Sequence, residues 1–464
     1  MQPYRQEGWA IIVIGIDIGT TSICGAAYEV TAKRLLQAVT LPNRSGQAEH
    51  GQDPASIYGT VETILRQLLA RYPKAAGIGV TGQMHGIVYV DRHGQAVSPL
   101  YTWQDRKGLL PAGEHETIAE RMARITGYEL STGFGLVTHA ALTSQGKLPA
   151  DAVKLCTIAD YIAMRIVRGS APIIEASNAA SIGIFDVRQG RFDEAALAAA
   201  GISADYLPAV RPSVAPAGHT SEGIPVFNAL GDNQASVLGS VKELRTSLLL
   251  NIGTGGQLSA YSDRYTAAEG LETRPFPGGG VLLVGASLAG GKSYAMLERL
   301  FRSVVDVFSD GRERETSASG RELYGRMEQL LDRLPPAGDK LTVRTQFYGT
   351  RSEPGAKGAI EGIGPDNLTP EHLTEAFLAG MADELYRYYE LLPLELRSGF
   401  ATVTGSGNGL RHNKHLRRIC AERFGMPIVL SAVREEASVG AALHAAVALG
   451  AAGYDTAGRL LPGV

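Results

Sequence analysis

Cysteine is scarce in this chain, and its three copies, Cys24, Cys156 and Cys420, stand far apart with no Cys-x-x-Cys pair. That spacing argues against a disulfide framework or a zinc centre and fits a reducing compartment, so a cytoplasmic location is expected. A charge excess of one sign is also missing. Acidic residues number 47 against 44 basic ones, and the net charge of -3 offers nucleic acid no basic tail or patch. Long hydrophobic runs are absent too. The apolar stretch Trp9–Ile16 is cut by Asp17 with no small-residue cleavage site behind it, so it is not expected to be a signal peptide. The Ala/Gly-rich stretch Ala437–Gly453 is weakly hydrophobic and carries His444, which predicts a tightly packed helix instead of a membrane span. No nucleic-acid or membrane partner is expected. Self-association is compatible with the sequence, but nothing in it calls for an oligomer.

What is present is glycine, 56 residues in 464, and it gathers in turns that follow apolar strands. Asp17-Ile18-Gly19-Thr20-Thr21-Ser22 follows the run Ile11–Ile16, and Asn251-Ile252-Gly253-Thr254-Gly255-Gly256 follows Leu248–Leu250. Each reads as a buried strand entering a small-residue turn whose backbone N–H groups can approach an anion closely. A hairpin turn with one exposed acid explains the first copy taken alone. The pair points to two related lobes gripping one polyphosphate, with Asp17 suited to a divalent cation and Asn251 in the matching place of the second copy.

Other elements fall around these turns. Gly25–Val30 is the predicted hairpin partner of the first strand, Ile57–Arg71 an amphipathic helix, and Gly77–Thr81 and Ile87–Asp91 strands. Helices are predicted over Glu116–Ile125, Ala152–Val167, Gln234–Val241, Arg321–Leu334, Pro370–Leu392, Asn413–Phe424 and after Glu436, with a strand over Pro225–Leu230. Ser309–Ser319 reads as a charged surface loop, and the lobe boundary is placed near residue 245, giving lobes 1–245 and 246–464.

Polar residues collect at the predicted strand ends. Asp232, in Gly231-Asp232-Asn233-Gln234, is either a helix cap or a base that takes a proton from an attacking hydroxyl. Gln83, Met84 and His85 in the loop Gly82–Gly86, with Trp103 and Asp105 in Tyr101–Asp105, supply hydroxyl partners and a stacking wall. His85 and Trp103 are each more often structural when taken singly; together these loops look like a polyol pocket. Gly405-Ser406-Gly407-Asn408 follows a strand and opens a helix, where backbone can lie against a flat base and ribose. Gly290-Gly291-Lys292-Ser293 imitates the end of a GxxxxGK[ST] phosphate loop, but that pattern needs glycine at 286, where Ala286 stands.

Read in order from about residue 11 to 450, the segments IDIGTTS, GVTGQMHG, WQDR, TGFG, TIADYIAM, SNAASIGIFD, GDNQAS, NIGTGGQL, GASLAGG and GSGNGLRHN resemble the FGGY family of carbohydrate kinases. Within it they are more similar to the sedoheptulokinases than to the xylulokinases. The resemblance implies an α/β fold of two actin-like, ribonuclease-H-like lobes closing on ATP, Mg²⁺ and a ketose, and transfer of the γ-phosphate to a terminal primary hydroxyl. By position, Asp232 matches the general base and a magnesium-linked carboxylate, and Asp17 the other acid of the metal. Gly19, Thr20, Thr21 and Gly253–Gly256 match phosphate contacts, and Gly405–Asn408 the adenosine segment. Gln83, Met84, His85, Trp103, Asp105 and Asn178 match the sugar side. A sugar sensor that binds ATP without turnover, or an assembly ATPase, would share the phosphate turns; the second would leave the sugar loops unexplained. One position departs: many relatives carry a basic residue where this chain has Cys24, and Lys292, Arg344 or Arg351 are the candidates to replace it.

Overall fold

The computed structural model describes residues 10–46, 51–308, 320–333, 340–350, 353 and 355–463. Ile12–Ile18 (β1) and Ser22–Glu29 (β2) form the expected hairpin, and Arg34–Pro42 (β3), a strand the sequence pattern did not signal, extends it. Helix Pro54–Arg71 (α1) starts where Asp53 accepts from the Ala55 N–H and Pro54 presets the backbone. It buries Ile57, Val61, Ile64, Leu65 and Leu68 against the sheet, which fixes one face of the first core.

Gly77–Gly82 (β4) runs parallel to β1. Val88–Val90 (β5) pairs with Lys154–Cys156 (β6), and this corrects the helix expected from Ala152. Thr157 and Asp160 form a reciprocal capping box, so helix Ile158–Ile166 (α2) begins only after it and the preceding residues stay extended. The helix expected at Glu116–Ile125 spans Ile118–Thr126, and a further helix over Gly135–Ser144 carries the second glycine of TGFG. Helix Ala176–Ile182 (α3) follows. The strand expected over Pro225–Leu230 is broken in two, Pro225–Phe227 (β8, paired with Pro216–His219, β7) and Leu230–Gly231 (β9). Asn228 turns its side chain away at the break to donate to the Arg211 carbonyl at 3.1 Å. Helix Asp232–Ser240 (α4) starts two residues before its expected beginning, which makes Asp232 its first residue.

The second half repeats the plan. Ser247–Ile252 (β10) pairs antiparallel with Gly256–Ser262 (β11), flanked by Glu272–Pro275 (β12) and Val281–Ser287 (β13). Helices Gly290–Phe308 (α5), Gly320–Leu331 (α6) and Pro370–Glu390 (α7) precede Thr402–Ser406 (β14), parallel to β10. Gly407–His412 (α8), Lys414–Phe424 (α9), Ile428–Leu430 (β15) and Glu436–Ala448 (α10) complete it. The loop expected at Ser309–Ser319 and the end of the helix expected to reach Leu334 lie outside the described residues.

The sheet orders are β7-β8-β4-β1-β2-β3, with β9 beside β4, and β12-β13-β11-β10-β14-β15. In each, the strand bearing the repeated phrase has a hairpin partner on one side and a parallel strand on the other. Asp17 faces Cys24 and Thr81 across these pairs; Asn251 faces Gln257 and Ser406. The doubled phrase is a doubled structure.

Helix α10 belongs late in the chain yet packs on β1, β4 and α4 of the first half. The helices meet backbone to backbone: a Cβ on Gly440 would lie 1.8 Å from the Ala235 carbonyl oxygen. Ser438–Val447 is buried throughout, which explains the small residues of this stretch. Among the described residues no helix is long and apolar enough to cross a membrane.

Candidate active site

Strand register collects the chemistry. Ile18 lies beside Gly82, and Gly82 beside Gly231, so the ends of β1, β4 and β9 adjoin. The first Gly/Thr turn, the Gln83–His85 loop and Asp232 therefore emerge together at the carboxyl edge of a parallel group, where open α/β sheets place their ligands.

Asp17 and Asp232 are both partly exposed there. Among the described residues no side-chain or backbone donor is hydrogen-bonded to the Asp17 carboxylate. Burial, and behind it the charge of Asp232, pushes the Asp17 carboxyl up to about 7. Burial also pushes Asp232 up to about 6, against the pull of the Arg274 guanidinium and of the first α4 amides. Among the described residues no three His, Cys, Asp or Glu side chains form a full metal cage. Two acids sharing a cleft suit a cation that keeps water and phosphate ligands, as Mg²⁺ does.

Thr20 is the hub of the first turn. Its hydroxyl donates to Gln83 Oε1 at 3.3 Å and accepts from Trp103 Nε1 at 3.1 Å. Its carbonyl accepts from Gln52 Nε2 at 2.9 Å, and Gln83 Nε2 donates to Gln52 Oε1 at 2.7 Å. Gln52 was not anticipated, because a lone glutamine in a two-residue strand carries no local signal. Gly19 is pinned by Asn43, whose Nδ2 donates to its carbonyl, while Thr21 is exposed. The second turn closes through Gly253 N–H to the Gly255 carbonyl, 3.0 Å, with Thr254 exposed and Gly256 buried at the start of β11.

A cavity of about 950 Å³ opens beside that second turn. Gly253, Thr254, Lys292, Asn408 and Gly409 line it together with Leu378 and Met381. Tyr294 and Tyr324, also in the lining, are stacked with ring centres 5.5 Å apart. The size and the mix of aromatic wall and few polar groups suit a nucleoside. Asn408 reaches the cavity, whereas Gly405, Ser406 and Gly407 stand outside its lining, Gly405 and Ser406 at the buried end of β14.

On the other side of the cleft, Gln83 and Met84 are almost fully buried and Trp103 is 46 % exposed. Gly133 of TGFG, at φ 85°, lets the chain run against Trp103: a Cβ there would lie 2.0 Å from the Trp103 carbonyl. His85 holds a left-handed φ of 71°, stacks on Phe134 at 4.7 Å, and donates from Nδ1 to the Ser181 carbonyl at 2.8 Å. That bond leaves Nε2 as the acceptor of the neutral ring. Asp105 and Asn178 are set deeper. Asp105 is 1 % exposed and paired with Lys107 Nζ at 2.8 Å; Asn178 has no accessible surface, its amide donating to Asp160 Oδ1 and the Ala229 carbonyl. Both are engaged with protein partners below the surface in this conformation.

Position 24 carries no charge. The Cys24 thiol, raised mainly by burial, accepts from Thr40 and touches Ser438 of α10. Of the replacements considered, Lys292 lines the cavity beside the second turn, Arg344 pairs with Glu361, and Arg351 lies outside the described residues. Arg274, which the sequence did not single out, is the base whose charge acts on Asp232.

Residues 12–239 match the N-terminal domain of the FGGY family of carbohydrate kinases, and residues 250–449 its C-terminal domain. The sedoheptulokinases of Homo sapiens and Mus musculus are 29% and 28% identical, each alignment covering 93% of this chain and 96% of the relative. The solved xylulose kinase of Rhodospirillum rubrum superposes with a TM-score of 0.82 at 21% identity, over 97% of this chain and 92% of that one. The architecture is thus the expected two-lobed actin-like ATPase fold. With both family domains matched in sequence order across the two sheets and the cleft between them, the chain belongs to the FGGY family of carbohydrate kinases and is an ATP-dependent enzyme of that family.

Proposed function

We propose that the protein transfers the γ-phosphate of ATP to the terminal primary hydroxyl of a ketose, and that the ketose is sedoheptulose, giving sedoheptulose 7-phosphate. The observation that carries the reaction is the adjoining of β1, β4 and β9, which sets Asp17, the Gln83–His85 loop and Asp232 at one cleft edge. The acceptor is inferred from the near full-length similarity to the two sedoheptulokinases.

In this reading Asp232 takes the proton of the acceptor hydroxyl as its oxygen bonds to the γ-phosphorus; the bond to the β-phosphate oxygen breaks and ADP leaves with the electron pair. Asp17 and Asp232 are the residues that would hold Mg²⁺, which would offset the phosphate charge. The turns Gly19–Thr21 and Gly253–Gly256 receive the phosphates through amides other than those of Gly19 and Gly253, which donate to the Ser22 and Gly255 carbonyls, and Asn408 contacts the adenosine. Gln83, His85 and Trp103 orient the sugar, backed by Met84, Asp105 and Asn178. A cytoplasmic location agrees with three free, buried cysteines.

An ADP-release assay over sedoheptulose, xylulose, ribulose, fructose and glycerol tests the assignment. The highest kcat/KM is expected for sedoheptulose; a higher value for xylulose, the second reading because the Gly82–Gly86 loop is common to both groups, would reassign the acceptor. Asp232→Asn is expected to lose activity by about a hundredfold or more while still binding ATP.

A further inference from the structure

The helix that begins with Asp232 is fastened to the second sheet immediately behind that residue. Arg274, on the edge strand β12, is buried, and its Nη1 donates to Asn233 Oδ1 at 3.3 Å. The other side of the guanidinium donates to Glu272 Oε2, from Nε at 2.9 Å and Nη2 at 2.6 Å. Asn233 passes the link on: its Nδ2 donates to Ser259 Oγ at 3.1 Å, and Gln257 Nε2 donates to the same oxygen at 3.1 Å. Gln257 is the residue after Gly256, where the second phosphate turn enters β11. Gln234 adds a parallel strut, donating to the Pro275 carbonyl at 2.8 Å.

We propose that Arg274 is a positioning residue for phosphoryl transfer, holding the Asp232 end of α4 in fixed relation to the second phosphate turn. The inference rests on the reading of Asp232 as the proton acceptor. A transfer whose rate comes mostly from alignment loses it when base and phosphate can drift apart. A planar guanidinium suits the task because its fork engages Glu272 and Asn233 at once, which a lysine ammonium cannot copy. Its charge also acts on Asp232. The chain Glu272–Arg274–Asn233–Ser259–Gln257, with the Gln234 strut beside it, thereby gives Asn233 and Gln234 a structural purpose behind the acid.

The test compares steady-state kinetics of Arg274→Ala, Arg274→Lys and Asn233→Ala with those of the wild type. Arg274→Ala is expected to lower kcat by about tenfold or more with KM for ATP changed less than about twofold. Added guanidinium ion restores part of kcat in Arg274→Ala, and Arg274→Lys falls between the two. Wild-type kcat in folded Arg274→Ala, or a loss confined to KM for ATP, overturns the inference. Should that variant fail to fold, Asn233→Ala decides, since it cuts the guanidinium from the helix and keeps the Arg274–Glu272 pair; an unchanged kcat there is equally fatal. Asp232→Asn run alongside separates the two claims. If it stays active the proton-acceptor reading fails, and if it is dead while Arg274→Ala is fully active only the positioning role fails.

Discussion

A methyl group on Gly290 would lie 2.2 Å from the carbonyl carbon and oxygen of Gly255. The start of α5 is pressed onto the second Gly/Thr turn, where the Gly291 and Lys292 N–H groups donate to the Gly253 and Thr254 carbonyls at 2.9 and 3.0 Å. Gly290-Gly291-Lys292-Ser293 therefore braces the second Gly/Thr turn. Gly290→Ala must displace the turn, and a shift of that size is expected to raise KM for ATP by about tenfold or more. Nucleotide titration of the folded variant checks it, and wild-type affinity would show that the turn does not depend on the brace.

Trp103 bonds to the same threonine hydroxyl that bonds to Gln83. Trp103→Phe keeps a ring and loses the indole N–H, and with it the neutral hydrogen bond to Thr20 that fixes the ring, worth about 1 kcal/mol. KM for the sugar should rise by up to about fivefold as the ring loses its anchor, with KM for ATP held and the melting temperature slightly lowered. An equal rise in both KM values would instead mean that Thr20 itself had moved.

Features with a local signature were legible before the fold was known. The two Gly/Thr turns, the Gly82–Gly86 loop and Asp232 each sit at a strand end that composition alone marks, and the register of β1, β4 and β9 brings the first turn, that loop and Asp232 together. Arg274 and Gln52 were not legible, since each matters through a partner far away in the chain: Asn233 is 41 residues from Arg274, and Gln83 is 31 from Gln52. Depth was hidden as well. Asp105 and Asn178 look like solvent-facing polar residues until Lys107 and Asp160 are seen against them. The helix expected from Ala152 failed on a competing local rule, the Thr157–Asp160 capping box, which starts the helix at Ile158.

The three thiols should be silent in the native protein. All are free and buried, and burial raises each, Cys420 to about 12. Nucleophilic attack needs the thiolate, so iodoacetamide at neutral pH is expected to leave activity intact, and a chromogenic disulfide should count no thiols before unfolding and three after it. Rapid native modification of Cys24 would show that the contact with Ser438 of α10 opens.

His444 ties α10 to the segment that leads into Asp232, and it does so as a neutral ring. The Asn228 carbonyl, 2.9 Å from Nε2, can only accept, so Nε2 carries the proton and Nδ1 accepts from the Tyr454 hydroxyl at 2.8 Å. Burial pushes the ring down to about 4 from an ordinary 6.5. The folded value lies below the unfolded one, so the unfolded chain takes up the proton first. The contribution is complete above pH 6.5 and lost as pH falls towards 4, on the order of 3 kcal/mol. Asp17 and Asp160, both raised to about 7, work in the opposite sense, since protonation there favours the folded state as pH falls. A bare stability profile mixes the two. His444→Gln separates them, because the amide can donate to Asn228 and accept from Tyr454 without titrating. Urea unfolding of both proteins from pH 7 to 4 should show the wild type losing about 3 kcal/mol relative to the variant. A flat difference would mean that His444 takes up its proton equally well in the folded chain, and that Asn228 is not held by a neutral ring.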